Sequence, residues 1–69
     1  MDTKKVLNQL MLERGMTLPQ LAEKLGLKPQ SLRNKLNRNN YGVEDFIQML
    51  DILGCDLQVM ARDSGKIFY

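Results

Sequence analysis

Polar side chains that can form paired hydrogen bonds are concentrated between Lys28 and Asn40. The amides of Gln and Asn can donate and accept at one planar edge, and an Arg guanidinium can donate two parallel hydrogen bonds. Residues 24–42, which contain this segment, carry five basic side chains and no acid. A basic stretch of this kind is typical of a surface that meets a polyanion, so the chemistry it predicts is binding to nucleic acid.

Residues suited to catalysis or metal binding are sparse. The chain has no histidine, and its one cysteine, Cys55, cannot form an internal disulfide or a cysteine-based zinc site. The acids are scattered, and only Glu44 and Asp45 are adjacent. Neighbours on a helix point about 100° apart, so this pair does not converge like a catalytic dyad. We therefore expect no enzyme, no catalytic residue, no metal and no cofactor, and interpret Cys55 as a small apolar residue just past a helix end.

Four short helices are predicted to position the polar segment. Apolar residues recur at helical spacing over residues 4–14, 18–25, 29–37 and 43–53. Gly15, Gly26 and Gly54 end three of these helices, and Thr17 with Gln20 forms a capping box at the start of the second. On the first and fourth helices, the residues predicted to face inward are Val6, Leu7, Leu10, Met11, Val43, Phe46, Ile47, Leu50 and Leu53. The five methionines are interpreted as core residues.

The second and third helices are predicted to be joined by a tight turn. Ala22 is small enough for close helix contact, Gly26 tolerates a positive φ in the turn, and Leu32 supplies an apolar contact that fixes the angle. This pattern resembles the DNA-binding domain of the phage repressor/Cro family (Xre-type regulators), whose Ala, Gly and aliphatic positions match these three residues. The resemblance covers roughly Val6 to Leu53. It implies a helix-turn-helix whose second helix enters the DNA major groove.

A helical wheel separates the two faces of the third helix. With Leu32 and Leu36 inward, Gln30 and Asn34 point outward. The predicted base-contacting residues are Gln30, Ser31, Arg33 and Asn34. The predicted phosphate-contacting residues are Lys28, Lys35, Asn37, Arg38, Asn39, Asn40 and Tyr41. The alternative is a face that is polar only because it meets water. Asn39 and Asn40 are also good turn formers, and the Tyr41 ring could pack over the fourth helix.

The tail, residues 55–69, has a different pattern. Leu57, Val59 and Ala61 alternate with Gln58, Met60 and Arg62, and a Gly-containing turn precedes Ile67. This alternation predicts a β-hairpin, with a fifth helix as the alternative. A lone hairpin is marginally stable, so we expect it to pair with a second copy; the alternative is that it caps its own domain. The predicted dimer interface is Leu57, Val59, Met60, Ala61, Ile67 and Phe68, with Ile67 and Tyr69 on the face of Leu57.

The sequence thus predicts a mainly α fold, a four-helix repressor-like helix-turn-helix domain over residues 1–54 with a C-terminal β-hairpin over residues 55–69. The expected function is a sequence-specific DNA-binding transcriptional regulator, a homodimeric repressor that occupies a palindromic operator in double-stranded DNA. The alternatives are the DNA-binding antitoxin of a toxin–antitoxin pair and a protein-interaction module on the same fold. No apolar run approaches the roughly 20 residues of a membrane span. We therefore expect a cytoplasmic protein with no membrane partner and no small-molecule ligand.

Overall fold

Local hydrogen bonds define where the helices begin. The structure is a computed structural model that describes all residues, Met1–Tyr69. It contains four helices, α1 (Thr3–Arg14), α2 (Leu18–Leu25), α3 (Pro29–Arg38) and α4 (Val43–Ile52). Asp2 caps α1 by accepting a hydrogen bond from the Lys5 N–H. Thr17 and Gln20 form the predicted capping box, each side chain accepting from the other's backbone N–H. The mainly α class and the predicted helix positions are confirmed.

The turn between α2 and α3 uses a left-handed glycine. Gly26 has a φ of 73°, and the N–H of the next residue, Leu27, donates to the Ala22 carbonyl at 2.9 Å. This hydrogen bond ends α2 and redirects the chain within a few residues. Ala22 and Leu32 are both fully buried beside the turn, and α3 packs chiefly against α2. The turn therefore fixes the position of α3 on the domain.

The core lies at the centre of the four helices and is entirely apolar. Its ten buried residues are Leu7, Met11, Leu21, Ala22, Leu32, Leu36, Phe46, Met49, Leu50 and Leu53. Helix α4 contacts both α1 and α2 across this core. None of the four helices has the length and apolar character needed to cross a membrane.

Some residues that were predicted to be buried in the core are exposed. Val43 is 62% exposed, because it opens α4 and the helix reaches the core only from Phe46 onward. Met11 and Met49 are core residues, whereas Met1 and Met60 are exposed. Cys55 is half-buried just past α4.

The tail forms no β-strand, so the predicted β-hairpin is not supported, and no fifth helix forms either. A single antiparallel bridge joins Met60 and Ile67. It is flanked by hydrogen bonds from the Ala61 N–H to the Lys66 carbonyl and from the Phe68 N–H to the Val59 carbonyl, both 2.8 Å. The two short segments have no third strand to pair with, and their apolar side chains are mostly exposed. A longer ladder of hydrogen bonds between them would therefore gain little stability from apolar burial.

The bridge also corrects the predicted faces of the tail. Ile67 stands opposite Met60 and shares its face, not the face of Val59 and Ala61. Side chains alternate between the two faces of paired segments, so a shift of one residue in register moves a side chain to the other face. The register here follows from the turn that Gly65 closes, with a φ of 71°.

Candidate nucleic-acid interface

Helix α3 has one buried face and one fully exposed face. Leu32 and Leu36 anchor it in the core. The four side chains predicted to contact bases, Gln30, Ser31, Arg33 and Asn34, are all exposed. Their outward orientation follows directly from the helical period, since the two leucines occupy the opposite side.

Three of these side chains form a hydrogen-bonded row along α3. The Arg33 guanidinium donates to Gln30 Oε1 at 3.3 Å, and Gln30 Nε2 donates to Asn34 Oδ1 at 3.1 Å. The spacings of three and four residues place these groups next to one another on the helix surface. We call Gln30, Arg33 and Asn34 the polar row. Its internal hydrogen bonds restrict the rotamers of all three side chains in the free protein.

The polar row keeps most of its hydrogen-bonding capacity. An Arg side chain has five N–H donors and an amide has two. The row uses one donor of Arg33, one of Gln30 and none of Asn34, so all three side chains keep free donors. Each amide oxygen has a second lone pair that can also accept. Because the row is exposed, its internal hydrogen bonds can be exchanged for bonds to another polar surface at little net cost.

The N-terminus of α3 is open beside this row. Lys28 occupies the capping position, is exposed, and makes no side-chain hydrogen bond to the helix. The first hydrogen bond of the helix runs from the Leu32 N–H to the Lys28 carbonyl, so the N–H groups of Gln30 and Ser31 precede it. Free N–H groups at the positive end of a helix, beside a lysine, favour an anion.

At the C-terminal end of α3 and in the following loop, three of the predicted phosphate-contacting residues are hydrogen-bonded to side chains of α1. Asn37 Oδ1 accepts a hydrogen bond from Lys4 Nζ at 2.7 Å. Asn39, which ends α3 with a φ of 53°, accepts from Thr3 Oγ1 at 3.4 Å. The Tyr41 hydroxyl is hydrogen-bonded to Thr3 Oγ1, and its ring packs against the core.

The remaining members of the predicted phosphate set divide into two groups. Arg38 and Asn40 are exposed at the end of α3 and in the following loop. Lys35 is half-buried and lines a cavity of about 120 Å³ between α3 and α4, which it shares with Asp45. Lys35 therefore lies away from the polar row.

Thr3 and Lys4 are the site residues that sequence reasoning missed. They lie at the start of α1, more than 30 positions before the residues that they bind. Lys4 brings one more basic side chain to the C-terminal end of α3. No local pattern joins these segments, and the only available signal was the pair of lysines that opens α1.

The tail residues predicted to form the dimer interface differ in how exposed they are. Val59, Met60, Ile67 and Phe68 are each more than half exposed. Leu57 and Ala61 are half-buried, and Leu57 packs against the core of its own chain.

Comparison with known proteins identifies a family. Residues 2–57, which include all four helices, match a family described as a domain of unknown function (DUF6471). The chain belongs to the DUF6471 family. The match ends before the Met60–Ile67 bridge. No curated protein and no solved structure matches the chain.

Proposed function

We propose that this DUF6471 protein is a sequence-specific DNA-binding regulator, a homodimeric repressor built on a repressor/Cro-like helix-turn-helix. The observation that carries the proposal is the polar row of Gln30, Arg33 and Asn34, exposed on a helix held by the Gly26 turn. Such side chains at the start of a helix are those that hydrogen-bond base edges in the major groove.

In the proposed complex, the N-terminal half of α3 lies in the major groove. Gln30 and Asn34 exchange their mutual hydrogen bond for bidentate contacts to adenine, and Arg33 donates to guanine. Ser31, on the same half of the helix, is the fourth proposed base contact. The internal bonds of the row hold these side chains near one another before binding, which lowers the entropy cost of ordering them.

Contacts to phosphate are proposed at both ends of α3. At its N-terminus, Lys28 and the free N–H groups of the first turn would bind the oxygens of one DNA phosphate. At its C-terminus, Arg38 and Asn40 are exposed members of the predicted set that are not hydrogen-bonded to α1, and Lys4 lies beside them through its hydrogen bond to Asn37. These contacts would set the register of α3 on the duplex without reading sequence.

A homodimer is proposed because a single module of this size contacts too few base pairs for strong specificity. The exposed tail residues Val59, Met60 and Phe68 are the proposed contact. In a two-fold dimer on a palindrome, the two α3 helices would stand about 34 Å apart, one turn of DNA. Repression would follow from occupancy of the operator.

Selection of bound sequences from a random duplex pool tests the proposal. We expect a palindromic motif, and we expect Arg33→Ala to lose preference at one base position at a cost of about 1–3 kcal/mol. Asn8→Ala, which truncates an exposed amide on α1, is the matched control and should leave the motif unchanged. If the pool yields no enriched sequence, α3 does not read bases; if both variants select the same motif as the unaltered chain, the assignment of Arg33 as a base contact is wrong.

Sedimentation at micromolar concentration tests the dimer separately. A lysine at Met60 places a charge in the proposed contact, so Met60→Lys should shift a dimer to monomer. Gln9→Lys introduces the same charge at an exposed site of α1, outside the tail, and serves as the control. A monomeric unaltered chain, or equal dimerisation of all three, would exclude the tail as the interface.

A further inference from the structure

A second surface, separate from the polar row, lies between α4 and the tail. Here the chain leaves an open groove of about 660 Å³. One wall is a stripe along α4 that contains Glu44, Ile47 and Asp51, which recur at helical spacing. The other wall is the tail, including Leu57 and Ile67. We call this surface the α4–tail groove.

Half of the residues that line the α4–tail groove are apolar, and they come from both walls. Ile47 on α4 and Leu57 in the tail are half-buried, and Ile67 and Tyr69 remain 52% and 60% exposed. Apolar surface left in contact with water is unfavourable, and in a groove it often marks a contact with another molecule.

The rim of the groove is acidic. Glu44, Asp51 and Asp56 line it, and no lysine or arginine does. From residue 43 onward the chain carries five acids against two bases, whereas residues 24–42 carry five bases and no acid. The two surfaces therefore have opposite charge. DNA phosphates are attracted to α3 and repelled from the groove, so the groove is not an extension of the proposed DNA interface.

We propose that the α4–tail groove binds a basic amphipathic segment of a protein partner. The apolar side chains of the lining would contact aliphatic side chains of the partner, and the acidic rim would select lysine or arginine beside them. The rim also disfavours acidic segments, because like charges would then face one another across the contact. This inference stands independently of DNA binding.

The separation of the acidic residues on α4 indicates how basic residues would be spaced in the partner. Glu44 and Asp51 are two helical turns apart on α4, which corresponds to about 10 Å along the helix axis. A partner helix lying along α4 would match them with basic residues about two turns apart and aliphatic residues between them.

The test titrates the isotope-labelled full chain with a synthetic helical peptide of about 14 residues, long enough for about four turns. The peptide has leucines on one face, flanked by two arginines spaced two turns apart; a matched peptide has glutamates in place of the arginines. The arginine peptide should shift amide resonances along the Glu44–Asp51 stripe and in the tail, and the glutamate peptide should not. Sedimentation in the same buffer monitors the oligomeric state.

Charge-reversal variants locate the contact. Asp51→Lys should weaken binding of the arginine peptide about fivefold or more, since an attraction becomes a repulsion. Asp63→Lys makes the same change of charge at an exposed turn outside the groove and should leave binding unchanged. Equal weakening by both variants, resonance shifts on α3 instead of α4, or a groove already filled by a second copy would overturn the proposal. Arg33→Ala should not affect peptide binding, so failure here is distinguishable from failure of DNA binding.

Discussion

Replacement of Gly26 tests the physical basis of the turn that positions α3. Its φ of 73° lies in the left-handed region, and an added Cβ would have no atom within 4 Å. The cost of a side chain there is therefore conformational and not steric. A left-handed backbone costs an L-residue about 1–2 kcal/mol, and loss of the unfolded-state entropy of glycine offsets about 0.4–1 kcal/mol of it. We expect Gly26→Ala to lower the free energy of unfolding by about 1 kcal/mol.

Two further substitutions at Gly26 separate the possible causes. Gly26→Val should cost about 2 kcal/mol, because a β-branched residue is a stronger outlier at positive φ. Gly26→Asn should cost less than Gly26→Ala, because asparagine tolerates this conformation, as Asn39 does at the end of α3 with a φ of 53°. Gly42→Ala is the control, since Gly42 has a φ of −87° and equally open surroundings.

Thermal unfolding followed by circular dichroism measures these differences. For a domain of this size, 1 kcal/mol corresponds to roughly 4–8 °C in Tm. The control should lose only a few tenths of a kcal/mol, because alanine is a poorer helix cap than glycine but the lower entropy of its unfolded chain offsets most of that loss. An identical Tm for Gly26→Ala and Gly42→Ala would refute the conformational cost. If Gly26→Asn were as destabilising as Gly26→Val, the cause would be steric after all.

Three further predictions concern the core, the α1 contact and the DNA backbone. Leu32→Ala should cost about 2–5 kcal/mol in urea unfolding because Leu32 is fully buried, whereas Leu12→Ala, at a site 84% exposed, should stay within about 0.5 kcal/mol. Tyr41→Phe should cost about 1 kcal/mol in the same assay through loss of the hydroxyl contact with Thr3; no change would mean that this hydrogen bond is not formed in solution. Arg38→Ala should weaken cognate and scrambled DNA alike and reduce the salt dependence of binding by about one phosphate; a loss confined to the cognate duplex would make Arg38 a base reader instead.

The outward face of α3 was predictable because it depends on one local period. Once Leu32 and Leu36 face the core, the orientation of Gln30 and Asn34 is determined by 100° per residue. The hydrogen bonds of the polar row are also local, since they join residues three and four positions apart. The position of Lys35 was harder to predict, because its half-burial depends on the cavity that it lines together with residues of α2 and α4.

The tail shows where a local pattern is insufficient. Alternation from Leu57 to Ala61 predicts a strand, but a strand needs a partner and a buried face, which the sequence of one segment does not specify. The structure supplies one bridge, Met60 to Ile67, and leaves both side chains exposed. Similarly, Val43 fits the apolar period of α4 but lies before the helix reaches the core.

By itself, the sequence determined the helices and their ends, since a capping hydrogen bond such as that between Thr17 and Gln20 joins residues three positions apart. Only the tertiary structure decided which distant groups meet. The contacts of Thr3 and Lys4 with the end of α3 and the following loop span 33–38 positions of the chain. They form because α1 and α4 pack across a shared core, and that packing depends on the shape and burial of all the helices together.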